Sequence, residues 1–229
     1  MHEQIITTLE RCRYSVLSRD DDLDQIFRLR YGCYIAEDSI ASNERGIMSD
    51  PFDESPNCIH VAVSMDESIV AAVRLHLISP DSCVSPTVEV FPEIVDKEYR
   101  GKTLLDPTRF VVRPDARKSR LPLHFLALRI PFLATMFYDV DIALAAVRSE
   151  HFAFYVRHLG YQVFSGPRQY PKLNKPVGLL TADVKANQAA ILKRYPFFGP
   201  LESIPESRRE FPSLDRTDVA SGRSNFNAA

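Results

Sequence analysis

Residues Asp106-Pro-Thr-Arg-Phe-Val-Val-Arg-Pro-Asp-Ala-Arg-Lys-Ser-Arg120 restrict the possible folds more than any other stretch, because an apolar strand, a basic turn and a long apolar helix follow without a spacer. Thr108 to Val112 is rich in β-branched residues, as a pleated half-buried strand requires. Pro114 and Asp115 predict its end, and Arg113, Arg117, Lys118 and Arg120 then fall in a loop. The helix opens at Leu121, with Pro122 tolerated in the first turn, where its missing N–H would have no partner anyway. A helix N-terminus behind cationic side chains offers free N–H groups and a positive dipole end, so a phosphate or pyrophosphate is its natural guest. The alternative is a solvated basic loop that binds nothing, since charge runs are usually surface.

Upstream, Arg13 to Ser18 predicts a strand, and Ser18 to Asp22 supplies caps for a helix reaching about Tyr34. Leu23, Ile26, Phe27, Tyr31 and Tyr34 repeat with a helical period, and Arg30 falls on the same face. Such a guanidinium needs a carboxylate or a ligand, or it snorkels out at the helix end. The loop from Asp38 to Pro56 carries Asp50 and Asp53, which could pair Arg30 or take a proton from a substrate, although turn formation also explains them. Ile59 to Met65 and Ile69 to Ile78 form a hairpin pattern around Asp66-Glu67. Arg74 shares a strand face with Val70, Ala72, His76 and Ile78, which implies either a partly buried cation or an exposed face.

Ser79 to Leu105 is irregular, with a short helix expected around Ile94 to Tyr99, and a connection of this length is usually functional. Beyond the central stretch the helix runs to Phe137, with a kink expected at Pro131. Ile142 to Val147 reads as a strand covered on both faces, and His151 to Leu159 as a helix closed by Gly160. Strands at Tyr161 to Phe164 and Val177 to Val184 and a helix from Ala186 to Tyr195 complete the pattern. Residues 1–200 are thus expected to form a single domain, and Leu201 to Ala229 a tail of low order. A net charge of -2 provides no global attraction to nucleic acid, and aromatic residues do not interleave with the basic ones of Arg113 to Arg120. The N-terminus lacks a signal-peptide pattern, and Arg129, Asp139 and Asp141 interrupt the most apolar region, so no membrane insertion and a cytoplasmic location are expected. Cys12, Cys33, Cys58 and Cys83 lack metal-ligand spacing, which predicts reduced thiols and no metal.

The order strand, helix, hairpin, strand, basic loop, helix, strand, helix, strand resembles the GNAT-like acyltransferase fold, an α/β architecture in which helices flank a mixed central sheet. Phe27-Arg-Leu-Arg-Tyr-Gly-Cys-Tyr-Ile-Ala-Glu37, Ser49-Asp-Pro-Phe-Asp53, Val73-Arg74-Leu75 and Asp106-x-x-Arg109-Phe resemble the signature shared by N-acyl-homoserine-lactone (autoinducer) synthases and N-acyl amino acid synthases. The resemblance spans roughly residues 14 to 184. Met48 stands where autoinducer synthases usually carry Glu, and the chain has no Trp, so the N-acyl amino acid branch is the closer of the two. The resemblance implies transfer of a fatty acyl group from an acyl carrier protein or acyl-CoA thioester to an amino acid amine, with no permanently bound cofactor. The alternatives are an autoinducer synthase using S-adenosylmethionine, or a non-catalytic acyl-binding module.

In that fold the central strand supplies the N–H that polarises the thioester carbonyl, here from Phe110 to Val112. Arg113, Arg117, Lys118, Ser119 and Arg120, together with Val111, would hold the donor's phosphate and meet the acidic carrier protein. Asp50, Asp53, Glu37 and Asp106 are the candidates for accepting the amine's proton. Arg30, Arg74 and Arg109 either bind the acceptor's carboxylate or form a structural network with the same aspartates. On a regular strand Asp106 and Arg109 would face opposite ways, so both can line one site only if Pro107 marks a bend or bulge. Tyr155 lies five residues before Gly160, one removed from the position expected of a GNAT-like tyrosine, and is not assigned as an acid.

Overall fold

In the computed structural model, which describes residues 2–17, 19–118 and 123–199, the apolar runs pair into one seven-stranded sheet. The strands are β1 (Cys12–Leu17), β2 (Cys58–Met65), β3 (Ser68–Ile78), β4 (Leu104–Val112), β5 (Ile142–Val147), β6 (Gln162–Arg168) and β7 (Val177–Asp183), in the spatial order β1-β2-β3-β4-β5-β7-β6. All neighbours are antiparallel except the parallel pair β4 and β5. The helices are α1 (His2–Arg11), α2 (Asp24–Ala36), α3 (Pro86–Val90), α4 (Pro114–Lys118), α5 (Leu123–Phe137), α6 (Phe152–Leu159) and α7 (Val184–Arg194). The hairpin falls where expected, and Asp66 and Glu67 both take left-handed φ (49° and 65°), as a two-residue loop of the right twist demands. Gly160 ends α6 in the same conformation, φ 71°.

The period of two in β2 and β3 sorts their side chains onto opposite faces. Val61, Val63, Ala71, Val73 and Leu75 pack in the large core with α5, whereas Ala62 and Ala72 join Ile26 and Cys33 of α2. Helices α2 and α5 therefore cover opposite sides of the sheet. Arg74 lies on the α2 side and is fully buried, so the exposed-face reading of this strand is not what forms.

Three departures from the sequence reading have local causes. The central strand begins at Leu104 rather than Thr108, because Leu104 and Leu105 pair with both β3 and β5. Pro107 does not end it: Pro107 lies opposite Leu75 after the ladder to β5 has stopped at Leu105, so its missing N–H costs no strand bond. The basic stretch starts as the short helix α4, with Pro114 at its first position, rather than as a loop. Two further elements were not read from sequence, α1 and the short α3, whose Ser85 side chain caps it by accepting from the Val88 N–H. The expected tail from Leu201 to Ala229 lies outside the described residues.

A bulge does occur in β4, but not at Pro107. Ala72 pairs with Val111 and Arg74 with Thr108, so Val73 opposes two residues, Arg109 and Phe110. Arg109 takes left-handed φ, 52°, which costs a non-glycine residue of order 1–3 kcal/mol and persists only when its surroundings hold it. The extra residue resets the alternation and puts Asp106, Thr108 and the Arg109 side chain on the α2 side together.

Close approach also constrains β7. A Cβ on Gly178 would lie 2.4 Å from a Phe152 ring carbon and 2.9 Å from the Ser165 carbonyl oxygen. Gly178→Ala should therefore lower the free energy of unfolding by about 1–3 kcal/mol, read as a lower denaturant midpoint at unchanged m-value.

Candidate active site

Two aspartates and three arginines meet on the α2 side of the sheet, all of them buried. Asp50 caps the short helix Pro51–Glu54: its side chain accepts from the Phe52 N–H, while Asp53 reaches back to the Asp50 N–H at 2.7 Å. This reciprocal cap aims both carboxylates at β3. Arg30 donates to Asp53 at 2.7 Å and Arg74 donates to Asp50 and Asp53 at 2.6 and 2.8 Å. Arg109 grips Asp50 through Nε and Nη2 at 3.2 and 2.6 Å. The rows of cross-strand partners extend this layer, with His60, Arg74 and Thr108 in one row and Cys58, His76 and Asp106 in the next.

Proton positions follow from these partners. Arg30 donates to His60 Nδ1 at 2.8 Å, so the neutral ring carries its proton on Nε2 and gives it to the Asp53 carbonyl at 3.2 Å. Burial and Arg30 hold His60 neutral with a pKa of about 4, and burial with Arg74 brings His76 to about 3. Burial opposes ionisation of Asp50 and Asp53, but the arginines outweigh it and keep both below the usual carboxylate range. Cys58 lies 3.6 Å from His60 without forming a nucleophile, because burial pushes its thiol to about 12. Asp106 goes the other way. Its burial raises the pKa to about 6, Thr87 donates to it at 2.8 Å, and Tyr170 in turn donates to Thr87 at 2.8 Å.

The main cavity opens beside this network. Strands β4 and β5 pair only at Leu104 with Ile142 and Leu105 with Ala143, then splay apart while β5 stays paired with β7 as far as Val147. Between them lies a cavity of about 1010 Å³. Tyr34, Glu37 and Ser39 line it from the α2 side, and Phe125, Leu128, Phe132 and Phe198 from the α5 side. The cavity thus passes through the sheet plane at the splay, with Thr108, Arg109, Phe110 and Val112 on one wall and Leu144 to Arg148 on the other. Main-chain groups on the β5-facing edge of β4 have no strand partner beyond Leu105, so they are available to whatever fills the cleft.

The residues singled out from sequence separate into three groups. Glu37, Arg109, Phe110 and Val112 line the cavity. Arg30, Arg74, Asp50 and Asp53 lie behind it in the network, and Asp106 beneath it beside Thr87. Arg30 and Arg74 are fully buried and pair with Asp50 and Asp53. Asp50 and Asp53 each accept from more than two donors. Val111 packs with α2, and Arg113 pairs with Asp115 at 2.7 Å. Arg117 and Lys118 belong to α4, and Ser119 and Arg120 lie outside the described residues. Sequence reasoning missed Tyr155, Tyr161, Arg148, His151 and Lys175 as cavity lining. Only Tyr155 had a signal, its approximate spacing from Gly160; burial raises its hydroxyl to about 12.

Removing one partner of the network strands the others without water. Asp53→Ala should cost about 3–5 kcal/mol of stability because Arg30 and Arg74 stay charged and buried. Asp106 contributes with the opposite sign. Its folded pKa lies above the unfolded one, so between about pH 4 and pH 6 the unfolded chain releases a proton that the folded one keeps, and stability falls as pH rises. Asp106→Asn should flatten that window and gain on the order of 2–3 kcal/mol over the wild type at pH 7, measured by denaturant melts across pH.

Comparisons with known proteins bear on the fold and the family. The structure of FeeM, an N-acyl amino acid synthase from uncultured soil microbes, superposes with a TM-score of 0.64 at 15% identity, covering 80% of this chain and 96% of that one. The CoA-dependent acyl-homoserine lactone synthase BjaI gives 0.59 at 17% identity over 80% and 89% of the two chains, and the AHL synthase LasI gives 0.59 at 15% over 80% and 95%. At these identities the likeness establishes the GNAT-like fold. Against the curated proteins the sequence has no match. The model of the N-acyl amino acid synthase FeeM family matches residues 25–183, more than half of the chain. From α2 to the end of β7, this chain is an acyltransferase belonging to the N-acyl amino acid synthase FeeM family.

Proposed function

We propose that the protein moves a fatty acyl group from an acyl carrier protein thioester to the amine of an amino acid. The observation that carries this reading is the cavity through the splay, apolar on the α5 side and polar on the α2 side. An acyl chain fits among Phe125, Leu128, Phe132 and Phe198, where burying each CH₂ contributes about 0.8 kcal/mol. The thioester then sits between β4 and β5, where the unpaired edge of β4 points N–H groups from the Phe110 to Val112 segment at its carbonyl oxygen. An amide-rich pantetheine arm can bond to the same open edge as an added strand would.

The amine enters from the α2 side. Its lone pair adds to the carbonyl carbon, the C=O pair moves onto oxygen, and the N–H donors stabilise that charge. Collapse re-forms the carbonyl and breaks the C–S bond, whose electron pair leaves on sulfur. The proton lost by nitrogen passes to Glu37, the carboxylate lining this end of the cavity, and ends on the thiolate to give the free thiol. Asp50 and Asp53 act at one remove. Asp50 holds Arg109, Asp53 steadies Asp50 through the reciprocal cap and Arg74, and Arg109 holds the bulge that shapes the β4 wall.

Arg113, at the exit of β4, and the basic residues that follow it in sequence favour a carrier protein, whose acidic surface they complement. We place the reaction in the cytoplasm, where the thiols of Cys12, Cys33, Cys58 and Cys83 remain reduced.

Dodecanoyl carrier protein and dodecanoyl-CoA, each incubated with a panel of amino acids, should yield N-dodecanoyl amino acids by mass spectrometry, faster from the carrier protein. Glu37→Gln should lower kcat by about 10²–10⁴-fold with the donor KM little changed. Leu128→Trp should shift preference to shorter chains. Absence of amide with every donor and acceptor would leave the acyl-binding module as the surviving reading, and S-adenosylmethionine as the sole productive acceptor would favour the autoinducer synthase.

A further inference from the structure

Residues 169–176, between β6 and β7, cross the α2-side mouth of the cavity as a strap. It is tied at several points: Arg168 pairs with Glu93 at 2.6 Å, Tyr170 bonds Thr87 at 2.8 Å, Arg109 donates to the Pro171 carbonyl at 3.1 Å, and the Asn174 N–H donates to the Ser39 carbonyl at 2.9 Å. The last bond joins the strap to the turn that follows Glu37. Leu173 and Lys175 of the strap and Glu37 and Ser39 of that turn all line the cavity.

Among the described residues, four basic side chains line this cavity: Arg109, Arg148, His151 and Lys175. Arg109 is committed to Asp50 and to the Pro171 carbonyl, and Arg148 to Glu150 at 3.0 Å. His151 is engaged with Arg148, its Nε2 lying 3.3 Å from the guanidinium. Lys175 is different: its ammonium has no carboxylate within 4.0 Å among the described residues, although it adds to the positive field around Glu150. A cation without a salt bridge, on a strap whose backbone is bonded to the turn after Glu37 and which shares a cavity with that carboxylate, matches the two ends of an amino acid.

We propose that Lys175 recognises the acceptor's α-carboxylate, so that the strap selects amino acids over amines lacking that group. The assignment rests on the transfer reading above for the identity of the acceptor. It makes Lys175 a specificity determinant, with the acyl chain and the reacting carbonyl held by other walls.

Calorimetric titration with N-dodecanoyl-alanine and with its carboxamide tests this without requiring turnover. The wild type should bind the acid tighter than the amide by roughly fivefold to tenfold. Lys175→Met should erase that ratio by weakening the acid alone, Lys175→Arg should restore most of it, and Lys172→Met, a neighbouring strap substitution, should behave as the wild type. An unchanged ratio in Lys175→Met, a wild-type ratio near one, or no binding of either ligand would overturn the assignment. Acyl transfer measured in parallel separates the two readings. Amide formation with an unchanged ratio overturns the role of Lys175 alone, whereas a collapsed ratio without amide formation overturns the reaction and supports the pocket.

Discussion

The architecture depends on two carboxylates that hold three guanidiniums away from water. Each ion would be expensive to bury alone, and the geometry repays that cost because Asp50 and Asp53 accept from the arginines at 2.6–2.8 Å and also from their own helix turn. The partners come from α2, the loop before β2, β3 and β4, so a single cluster sets the relative position of four segments distant in sequence. Neutral His60 extends the arrangement without adding charge. A shift of one residue in the register of β3 would turn Arg74 to the α5 side, away from both aspartates.

That cluster also explains the strained point of the sheet. Arg109 can hold a left-handed backbone because its side chain is gripped by Asp50 on one side and the Pro171 carbonyl on the other, with the Tyr34 ring 6.0 Å away. The resulting bulge in β4, together with the early end of its ladder to β5, opens the sheet beside the cavity. The buried ions lie behind the cleft, whereas side chains such as those of Glu37 and Lys175 line it.

The α5 side is built by different means. Phe125, Leu128 and Phe132 recur at helical spacing along α5 and form an apolar wall. Arg129, off that stripe, donates to the Phe197 carbonyl at 2.7 Å and thereby anchors the turn that presents Phe198 to the cavity. A basic residue that only interrupted an apolar run in the sequence thus helps close the pocket floor.

Local pattern was sufficient for the hairpin, the helix carrying Arg30 inward, the run from Ile142 to Val147 and the order of elements, because periods of 2 and 3.6 are written into neighbouring residues. Motif spacing was sufficient for the family. Neither could choose between a ligand and an internal partner for Arg30 and Arg74, since that choice depends on where a loop twenty or more residues away brings Asp50 and Asp53. The bulge was anticipated as a requirement but assigned to Pro107, because a proline advertises its restriction in the sequence whereas Arg109 is strained only by long-range bonds. Lys175 carried no signal at all. Its place on the wall of the same cavity as Glu37 results from strands closing a sheet between residues far apart in the chain, and no local preference encodes that placement.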